Sequence, residues 1–218
     1  MRVYKFLNAQ YALDAILSGN IKLSTVDELN DPYEFKGVKF TQATKKDNQD
    51  LIDIIKKYGL LCVSKNYFNP TMWSHYSDLH KGIVLEFDIK EDEKNEFFNV
   101  KYVDKIIENN KPFNDIKKNY FFLEELLATK SKDWCYENEV RFLFDLKDDC
   151  IPKSINGDLK FFINMEEKGF ILQKVILGCM CNTDLELKIK NALIKKNVTL
   201  LRASLDLTLF KVNSIITF

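Results

Sequence analysis

The sequence predicts an α+β fold, in which a single compact domain of residues 1–218 contains a mixed and mainly antiparallel β-sheet with flanking helices. Three observations predict it. Strand-like and helix-like stretches follow one another without a regular βαβ rhythm. No glycine-rich phosphate loop follows any predicted strand, which argues against a doubly wound fold. The short, charged connections between predicted strands favour antiparallel pairing.

The composition is that of a folded chain without a strong overall charge. The 17 phenylalanines and the hydrophobic content of 46% are enough for a sizeable core, and only seven glycines and four prolines argue against a long disordered linker. Lys plus Arg and Asp plus Glu are both 32, so no overall field would attract nucleic acid or an anionic membrane. A local basic groove is still compatible with that balance.

Several features predict a cytoplasmic, bacterial-type protein. No apolar run reaches the ~18 residues of a membrane-spanning helix, and the N-terminus lacks the apolar core of a signal peptide. The five cysteines, an odd number in a chain too large to need disulfides, predict reduced thiols. Cys179 and Cys181 form a CxC pair, but His75 and His80 are far away in sequence and no second closely spaced cysteine pair exists. We therefore predict no metal site.

The elements of the first half alternate between strands and helices. The predicted strands are residues 2–7, 21–24, 60–64, 83–88 and 97–103. Asn8 can cap a first helix that ends at Gly19. Residues 48–58 predict a second helix, and a short third helix begins at Pro70 and is closed by Gly82.

The second half begins with a turn at residues 109–112, which leads into a predicted helix at 114–129. A charged strand follows within residues 134–144. The further predicted strands are residues 161–164, 173–177, 199–202 and 207–212. A capping box at residues 183–186 predicts a last helix that runs to about Lys196.

The stretch 134–144 is the strongest candidate for a functional site. Its second half alternates between an apolar set, Val140, Phe142 and Phe144, and a charged set, Glu137, Glu139 and Arg141. Because the side chains of a strand alternate between its faces, we predict that the two carboxylates and the guanidinium share one face. The two glutamates would be about 6.5–7 Å apart at the backbone. Such a pair can stabilise an oxocarbenium-like centre and handle a proton, and Arg141 could keep both ionised or bind a phosphate. The alternative is a half-exposed charged strand, which is common in antiparallel sheets.

A second stretch with many polar groups surrounds Trp73. Core packing is the usual role of a tryptophan, but here His75 follows closely, with Asp78 three residues further on. On a helix these two side chains are neighbours, so the carboxylate could hold the imidazole as in many catalytic sites. The alternative is a surface helix with solvated polar residues.

Two nucleophile chemistries match the sequence poorly. There is no Gly-x-Ser-x-Gly elbow, and Ser74 beside His75 would project in a different direction. A Cys–His nucleophile could use Cys62 or Cys135, but neither has a local signature. Paired carboxylates therefore remain the preferred chemistry.

A series of motifs resembles a bacterial family catalogued as a domain of unknown function, number twenty-nine seventy-one. In order, they include YKFL at 4–7, LNDPYE at 29–34, CVS at 62–64, MWSHY at 72–76, KG at 81–82, WCYENEVR at 134–141 and VILG at 175–178. The second tryptophan motif and MWSHY are the most specific. The resemblance covers residues 4 to about 178 and implies no activity by itself.

More distantly, the chain is similar to ADP-ribosyltransferases. These enzymes use NAD in a split α+β sheet, with an Arg or His on an early strand, a Ser on a middle strand and a catalytic Glu on a late strand, often within Glu-x-Glu. Here Tyr4 or Lys5 stands on the first strand, Ser64 ends a middle strand, and Glu137 and Glu139 form the Glu-x-Glu. The resemblance implies a split sheet and NAD as a substrate. The chain departs from the pattern because its first strand has no His and its Arg2 stands early. The resemblance therefore does not identify the residues that would bind the NAD diphosphate.

The transferase resemblance implies a role for each residue. Glu139 would hydrogen-bond the nicotinamide ribose and stabilise its developing positive charge, and Glu137 would orient or deprotonate the acceptor. Ser64 would help to place the ribose or the nicotinamide, and Tyr33 or Tyr76 would stack on a ring. The residues predicted for catalysis are Glu139, Glu137, Ser64 and His75, and those predicted to bind the nucleotide are Tyr4, Lys5, Tyr33, Trp73, Tyr76 and Arg141.

Such an enzyme would modify a macromolecular acceptor, a protein or a nucleic acid, and a toxin or anti-phage defence effector is a natural setting for it. No membrane partner is predicted. One alternative is a hydrolase of an N-glycosidic or phosphate ester bond. Another is a non-catalytic ligand-binding module in which the two tryptophans, His75 and Arg141 form a pocket. In a third, the tryptophans pack together and the two glutamates form ion pairs with Lys130.

Overall fold

The structure, a computed structural model, describes residues 1–90, 96–110 and 121–216. The strands in these residues are β1 (Arg2–Leu7), β2 (Asn20–Lys22), β3 (Val38–Phe40), β4 (Tyr58–Ser64), β5 (Ile83–Ile89), β6 (Phe97–Asn99), β7 (Lys101–Val103), β8 (Ile107–Asn109), β9 (Thr129–Ser131), β10 (Glu139–Asp145), β11 (Ile151–Ile155), β12 (Asp158–Asn164), β13 (Phe170–Leu177), β14 (Thr199–Asp206) and β15 (Lys211–Ile216). The α-helices are α1 (Ala9–Ser18), α2 (Lys45–Ile55), α3 (Pro70–Tyr76), α4 (Phe121–Leu127) and α5 (Thr183–Leu193), and short 3-10 helices cover Val26–Glu28 and Lys132–Glu137.

The main sheet has eight strands in the order β15-β14-β13-β5-β1-β4-β10-β6. Its neighbours pair antiparallel except β13 and β14, which are parallel because α5 connects them as a crossover. A smaller antiparallel sheet has the order β11-β12-β2, and β3–β8 and β7–β9 are parallel two-stranded pairs. The predicted α+β class with a mainly antiparallel sheet is confirmed.

The main sheet opens between β1 and β4. β1 pairs with β5 along its whole length, but with β4 it has register only between Tyr4 and Ser64. Beyond that pair the strands diverge, and the ammonium of Lys5 reaches across to the backbone oxygen of Cys62, 2.9 Å away. This opening lies in the middle of the sheet and leaves room for a cavity.

Helices cover both faces of the sheet. α1 and α5 bury apolar side chains such as Ile16 and Ile189 in a core with Val3, Phe87 and Phe142. On the opposite face α3 packs its Trp73 against Phe6 of β1, and these belong to a second cluster. A third cluster lies under α2 and α4. The sheet is thus buried on both sides, which fixes the backbone around its opening.

The helix ends follow local capping chemistry. As predicted, Asn8 caps α1 by accepting from the backbone N–H of Tyr11, and Gly19 ends this helix with φ 72°. The predicted capping box at 183–186 was wrong in detail, because Asn182 is the cap and accepts from the N–H of Leu185, 2.8 Å away.

Several predictions of strands and helices differ from the structure, among them the helix at 48–58, since α2 ends at Ile55 and Tyr58 already belongs to β4. Residues 97–103 form two short strands, β6 and β7, instead of one. The strand predicted at 207–212 was wrong in position, because residues 207–210 form the turn of a hairpin and β15 begins after them. Of the helix predicted at 114–129, residues 114–120 lie outside the described residues, and the described part is α4. No helix in the described ranges is long and apolar enough to cross a membrane.

Candidate functional site

Arg141 is the centre of a buried ion cluster beside the opening of the sheet. Arg141 is fully buried, with 0% of its surface exposed. Its Nη1 and Nη2 donate to the two carboxylate oxygens of Glu34, both at 2.8 Å, and its Nε and Nη2 donate to the two oxygens of Glu139, both at 3.0 Å. Nη1 also donates to the backbone oxygen of Leu127 at 2.8 Å. A guanidinium has five N–H groups, so protein acceptors occupy all of them. Arg141 therefore holds the two carboxylates in place and has no donor left for a phosphate.

Lys130 extends the cluster to a third carboxylate. Its ammonium lies 2.6 Å from Glu137, 3.3 Å from Glu34 and 3.5 Å from Glu139, and it stands 4.7 Å from the centre of the Trp134 ring. The side chains of Lys130 and of the three glutamates are all less than a tenth exposed. Three carboxylates thus face two cations in a space that excludes water.

Glu137 does not lie on the strand, which corrects the prediction of one charged strand face. It ends the 3-10 helix, and β10 begins only at Glu139. Between them Asn138 adopts φ 45°, the left-handed region that asparagine tolerates. The hydroxyl of Ser64 donates to the backbone oxygen of Glu137 at 2.7 Å and holds this turn. The turn, rather than strand alternation, brings the carboxylates of Glu137 and Glu139 to the same lysine.

Glu137 is held from a second side by Tyr76. The phenol of Tyr76 donates to its carboxylate and accepts from the side-chain amide of Asn30, 2.8 Å away. Lys130 donates to the other carboxylate oxygen. The helix α3 and the loop after β2 therefore both position this glutamate.

Tyr4, Ser64 and Glu139 lie in one row across three neighbouring strands. Tyr4 on β1 is the register partner of Ser64 on β4, and Ser64 is the register partner of Glu139 on β10. Register partners point to the same face of a sheet. All three residues line one cavity of about 220 Å³ at the opening of the sheet, together with Lys5 and Tyr76.

The two glutamates of the Glu-x-Glu have opposite pKa shifts. Burial raises the pKa of Glu137, and the charge of Glu139 raises it further. Burial acts in the same direction on Glu139, but Arg141 and Lys130 outweigh it and lower the pKa of Glu139 to about 2. Two carboxyl groups with divergent pKa values are the usual basis of separate acid–base and electrostatic roles.

Lys5 is the cation of the cavity that is not paired with a carboxylate. In the described part of the chain its ammonium makes one hydrogen bond, to the backbone oxygen of Cys62. Burial lowers its pKa, while the negative charge of Glu139 acts against that shift. Two of its three N–H groups remain for a ligand.

Three residues predicted for the site lie away from the cavity. His75 is exposed and its Nδ1 contacts the hydroxyl of Tyr136 at 3.1 Å rather than Asp78. Trp73 is fully buried, stacks on His80 and donates from its indole to the backbone oxygen of Tyr67. Tyr33 is 62% exposed and faces a different groove. The suggested packing of the two tryptophans on each other was also wrong, since Trp134 lies beside Lys130 and Tyr136.

Sequence reasoning missed the place of Glu34 and Asn30 in the site. Both stand in the LNDPYE stretch, which was singled out as a motif without a role. Glu34 is 9% exposed, and a buried glutamate requires a cationic partner. An acidic residue within a motif that also contains Asn-Asp-Pro was the available signal, but the partner, 107 positions away, could not be found from spacing. No group of His, Cys, Asp and Glu within the described ranges could hold a metal ion.

The charge on Glu139 is expected to make folding stability fall in acid. Its pKa is lowered from 4.5 to about 2, so its contribution is complete above pH 4.5 and is lost as the pH falls towards 2. The shift corresponds to about 3 kcal/mol, and the raised pKa of Glu137 offsets part of it. Urea unfolding at pH 6 and pH 3 should therefore show a smaller difference for Glu139→Gln than for the wild type. Glu167→Gln, which changes an exposed glutamate outside the cluster, is the control. Equal pH dependence of wild type and Glu139→Gln would contradict the assignment.

In comparisons with known proteins, one segment of the chain matches a protein family. A family model described as a protein of unknown function (DUF2971) matches residues 72–142, which is less than half of the chain. No curated protein and no solved structure gives a significant match. The matched segment contains Tyr76 and Lys130 as well as Glu137, Glu139 and Arg141. Residues 72–142 therefore carry the pattern of this family, and they supply most of the charged side chains of the site.

Proposed function

We propose that the cavity binds the nicotinamide–ribose end of NAD and that the protein transfers ADP-ribose from NAD to an acceptor. The observation that carries the proposal is the row of Tyr4, Ser64 and Glu139, three residues on adjacent strands that line one cavity. The resemblance to ADP-ribosyltransferases implies these three positions, on three strands that lie far apart in sequence. Their meeting at an opening of the sheet supports the same arrangement here.

Glu139 provides the charge that this reaction needs. In the transfer, the bond between C1′ of the ribose and the ring nitrogen of nicotinamide breaks, its electron pair leaves with nicotinamide, and positive charge develops on the ribose. Glu139 is ionised at neutral pH because Arg141 and Lys130 lower its pKa. A fixed negative charge in a buried site stabilises a developing cation more strongly than in water.

Glu137 is suited to accept the proton of the acceptor. Its raised pKa makes it a stronger base than an ordinary glutamate. As the acceptor atom forms its bond to C1′, its proton passes to the carboxylate of Glu137. Tyr76 and Lys130 hold that carboxylate in one orientation.

The size of the cavity limits which part of NAD it can hold. Its volume of about 220 Å³ is below the ~300–1,000 Å³ of typical ligand sites. One end of the dinucleotide occupies it, and the other end lies outside. The free N–H groups of Lys5 face the cavity and are the available donors for an anionic group of the ligand. This assigns to Lys5 the role that the first-strand Arg or His has in the resembled enzymes.

Nicotinamide release from NAD tests the proposal. Purified protein is incubated with NAD, alone and with cell extract as a source of acceptors, and nicotinamide is measured by mass spectrometry. We expect release by the wild type and a loss of at least ~100-fold in Glu139→Gln, the size of effect seen when one stabilising group is removed from a reaction site. Glu186→Gln, which breaks a remote ion pair, should keep the activity. The melting temperatures of all three proteins must be measured, since a buried pair is also broken in Glu139→Gln.

The products separate the alternatives. Free ADP-ribose with no labelled acceptor indicates a hydrolase built on the same carboxylates. The second alternative is a ligand-binding module. Its rigid cluster could also contain an Arg141 whose hydrogen-bond donors are all occupied. A ligand-binding module predicts a rise in melting temperature with NAD and no product. No nicotinamide release under either condition would overturn the transferase proposal.

A further inference from the structure

A second groove lies on the outer side of the segments that build the ion cluster. This groove, which we call the basic groove, is lined by Tyr33, Lys36, Asp104, Lys105 and Ile106 among others, and has a volume of about 160 Å³. It is formed by the loop of residues 31–37, the segment after β7 and the end of β9. None of the five named residues lines the NAD cavity.

The basic groove shares its backbone with the candidate site. In the loop of residues 31–37, Glu34 points inward to Arg141 while the neighbouring Tyr33 lines the groove. On β9, Lys130 points inward and Ser131 lines the groove. A molecule in the groove would therefore lie directly behind the residues that position Glu137 and Glu139.

The loop is held in one conformation. The side chain of Asp31 accepts from the N–H of Tyr33 at 2.9 Å, and the backbone oxygen of Tyr33 accepts from the N–H of Lys36 at 2.9 Å. At Gly37 the loop meets β9 so closely that a Cβ would lie 2.7 Å from the methyl group of Thr129. The groove is thus preformed, and little ordering is needed when it binds a ligand.

The charges around the groove are unbalanced. Of the charged side chains that line it, Lys36 and Lys105 are exposed, and in the described ranges neither ammonium forms an ion pair with a carboxylate, while that of Lys36 donates to the backbone oxygen of Pro32 at 2.7 Å. Lys132, by contrast, is paired with Asp104 at 3.0 Å. Because the net charge of the chain is zero, this surplus is a local property of the surface. It favours an anionic partner at this place.

Apolar and aromatic groups accompany the charge. The ring of Tyr33 is 62% exposed and the side chain of Ile106 is 52% exposed. An exposed aromatic ring and two lysines without a carboxylate partner in the same groove provide a stacking surface for a base and donors for phosphates, the combination by which proteins hold single-stranded nucleic acids. An acidic peptide would use the cations but not the ring face.

We propose that the basic groove binds a single-stranded nucleic acid, with a base on Tyr33 and backbone phosphates on Lys36 and Lys105. The chemistry of binding is common to DNA and RNA, and the two are compared in the test.

Binding is measured without NAD, so that it does not depend on the transferase activity. Fluorescence anisotropy with labelled 15-mers of dT and of U, at about 50 and 200 mM salt, gives affinity and salt dependence. We expect binding by the wild type that weakens with salt and falls by at least ~10-fold in Lys36→Glu/Lys105→Glu. Tyr33→Ala should lose roughly 5- to 100-fold, the range of base–aromatic stacking. The control Lys147→Glu/Lys195→Glu makes the same change of charge at exposed lysines elsewhere. Its affinity should stay within about twofold of that of the wild type at the same salt concentration.

Three results would overturn the proposal. They are no binding of either oligonucleotide by the wild type, equal affinity of wild type and Lys36→Glu/Lys105→Glu, and equal loss in the control variant. Circular dichroism melting shows that the variants are folded. The two proposals can fail separately. Nicotinamide release without oligonucleotide binding would contradict only the proposal for the basic groove. Oligonucleotide binding without nicotinamide release would contradict only the transferase proposal.

Discussion

Replacing Arg141 with methionine is expected to lower the free energy of unfolding by about 3 to 5 kcal/mol. The variant leaves Glu34 and Glu139 buried with two lost hydrogen bonds each. Lys130 alone cannot neutralise three buried carboxylates, so negative charge is left without a partner in the protein interior. Urea denaturation at pH 7, with the midpoint and the slope compared between variant and wild type, measures the loss.

Two further variants test whether this loss of stability comes from leaving buried charges without a partner. Arg2→Met removes an arginine that pairs with Asp88 at 2.9 Å, but its side chain is 51% exposed, so the cost should be below about 1 kcal/mol. The triple variant Glu34→Met/Arg141→Met/Glu139→Leu removes Arg141 together with its two carboxylate partners and leaves Lys130 paired with Glu137. Replacing a whole buried ion group with apolar residues is often neutral, so it should recover most of the stability. If Arg141→Met costs no more than Arg2→Met, the buried cluster does not exist as described.

The comparison of these variants also bears on function. A cluster that costs little when removed as a whole contributes little net stability, yet it holds three glutamates and a lysine in fixed positions. The positions of Glu137 and Glu139 are what the proposed reaction requires. A triple variant as stable as the wild type would show that these three charges are not required for the stability of the fold.

The fold was largely predictable because its signals are local. The cap at Asn8, the helix stop at Gly19 and the continuous apolar runs of β4 and β5 depend on neighbouring residues in sequence. The absence of a βαβ rhythm then selected an α+β class. The strand prediction at 207–212 failed although the deciding signal is also local, because the side chain of Asp206 accepts from the N–H groups of Thr208 and Leu209 and so closes a turn there.

The candidate site was predictable in its residue types but not in its geometry. Period-two alternation put Glu137, Glu139 and Arg141 on one face, yet Glu137 reaches the others through the left-handed turn at Asn138. That turn is held by the hydroxyl of Ser64, 73 positions earlier in the chain. The pairing of Arg141 with Glu34 spans 107 positions. Such contacts have no periodicity in the sequence, so only the folded chain shows them.

Gly178→Ala is expected to cost about 3 kcal/mol or more of unfolding free energy, an unusually large effect for one methyl group. A Cβ at this position would lie 2.0 Å from the backbone oxygen of His80 and 3.0 Å from that of Gly82. Two hydrogen bonds hold the backbone at this position. The N–H of Gly178 donates to the backbone oxygen of Gly82 at 2.8 Å, and the N–H of Met180 donates to that of His80 at 3.0 Å.

The segment against which Gly178 packs is itself strained, which makes the cost larger. Asp78, Leu79 and His80 are consecutive residues with φ of 46°, 51° and 68°, and each left-handed residue costs roughly 1–2 kcal/mol. Gly19→Ala is the control, since its added Cβ meets nothing within 4 Å and only its φ of 72° is unfavourable. That variant should lose about 1–2 kcal/mol by the same argument. Equal losses at the two glycines, measured by urea unfolding, would contradict the close approach at Gly178. Because the strained turn follows α3, a shift at Gly178 also displaces Tyr76 from Glu137, so Gly178→Ala should weaken the site even at temperatures where the chain remains folded.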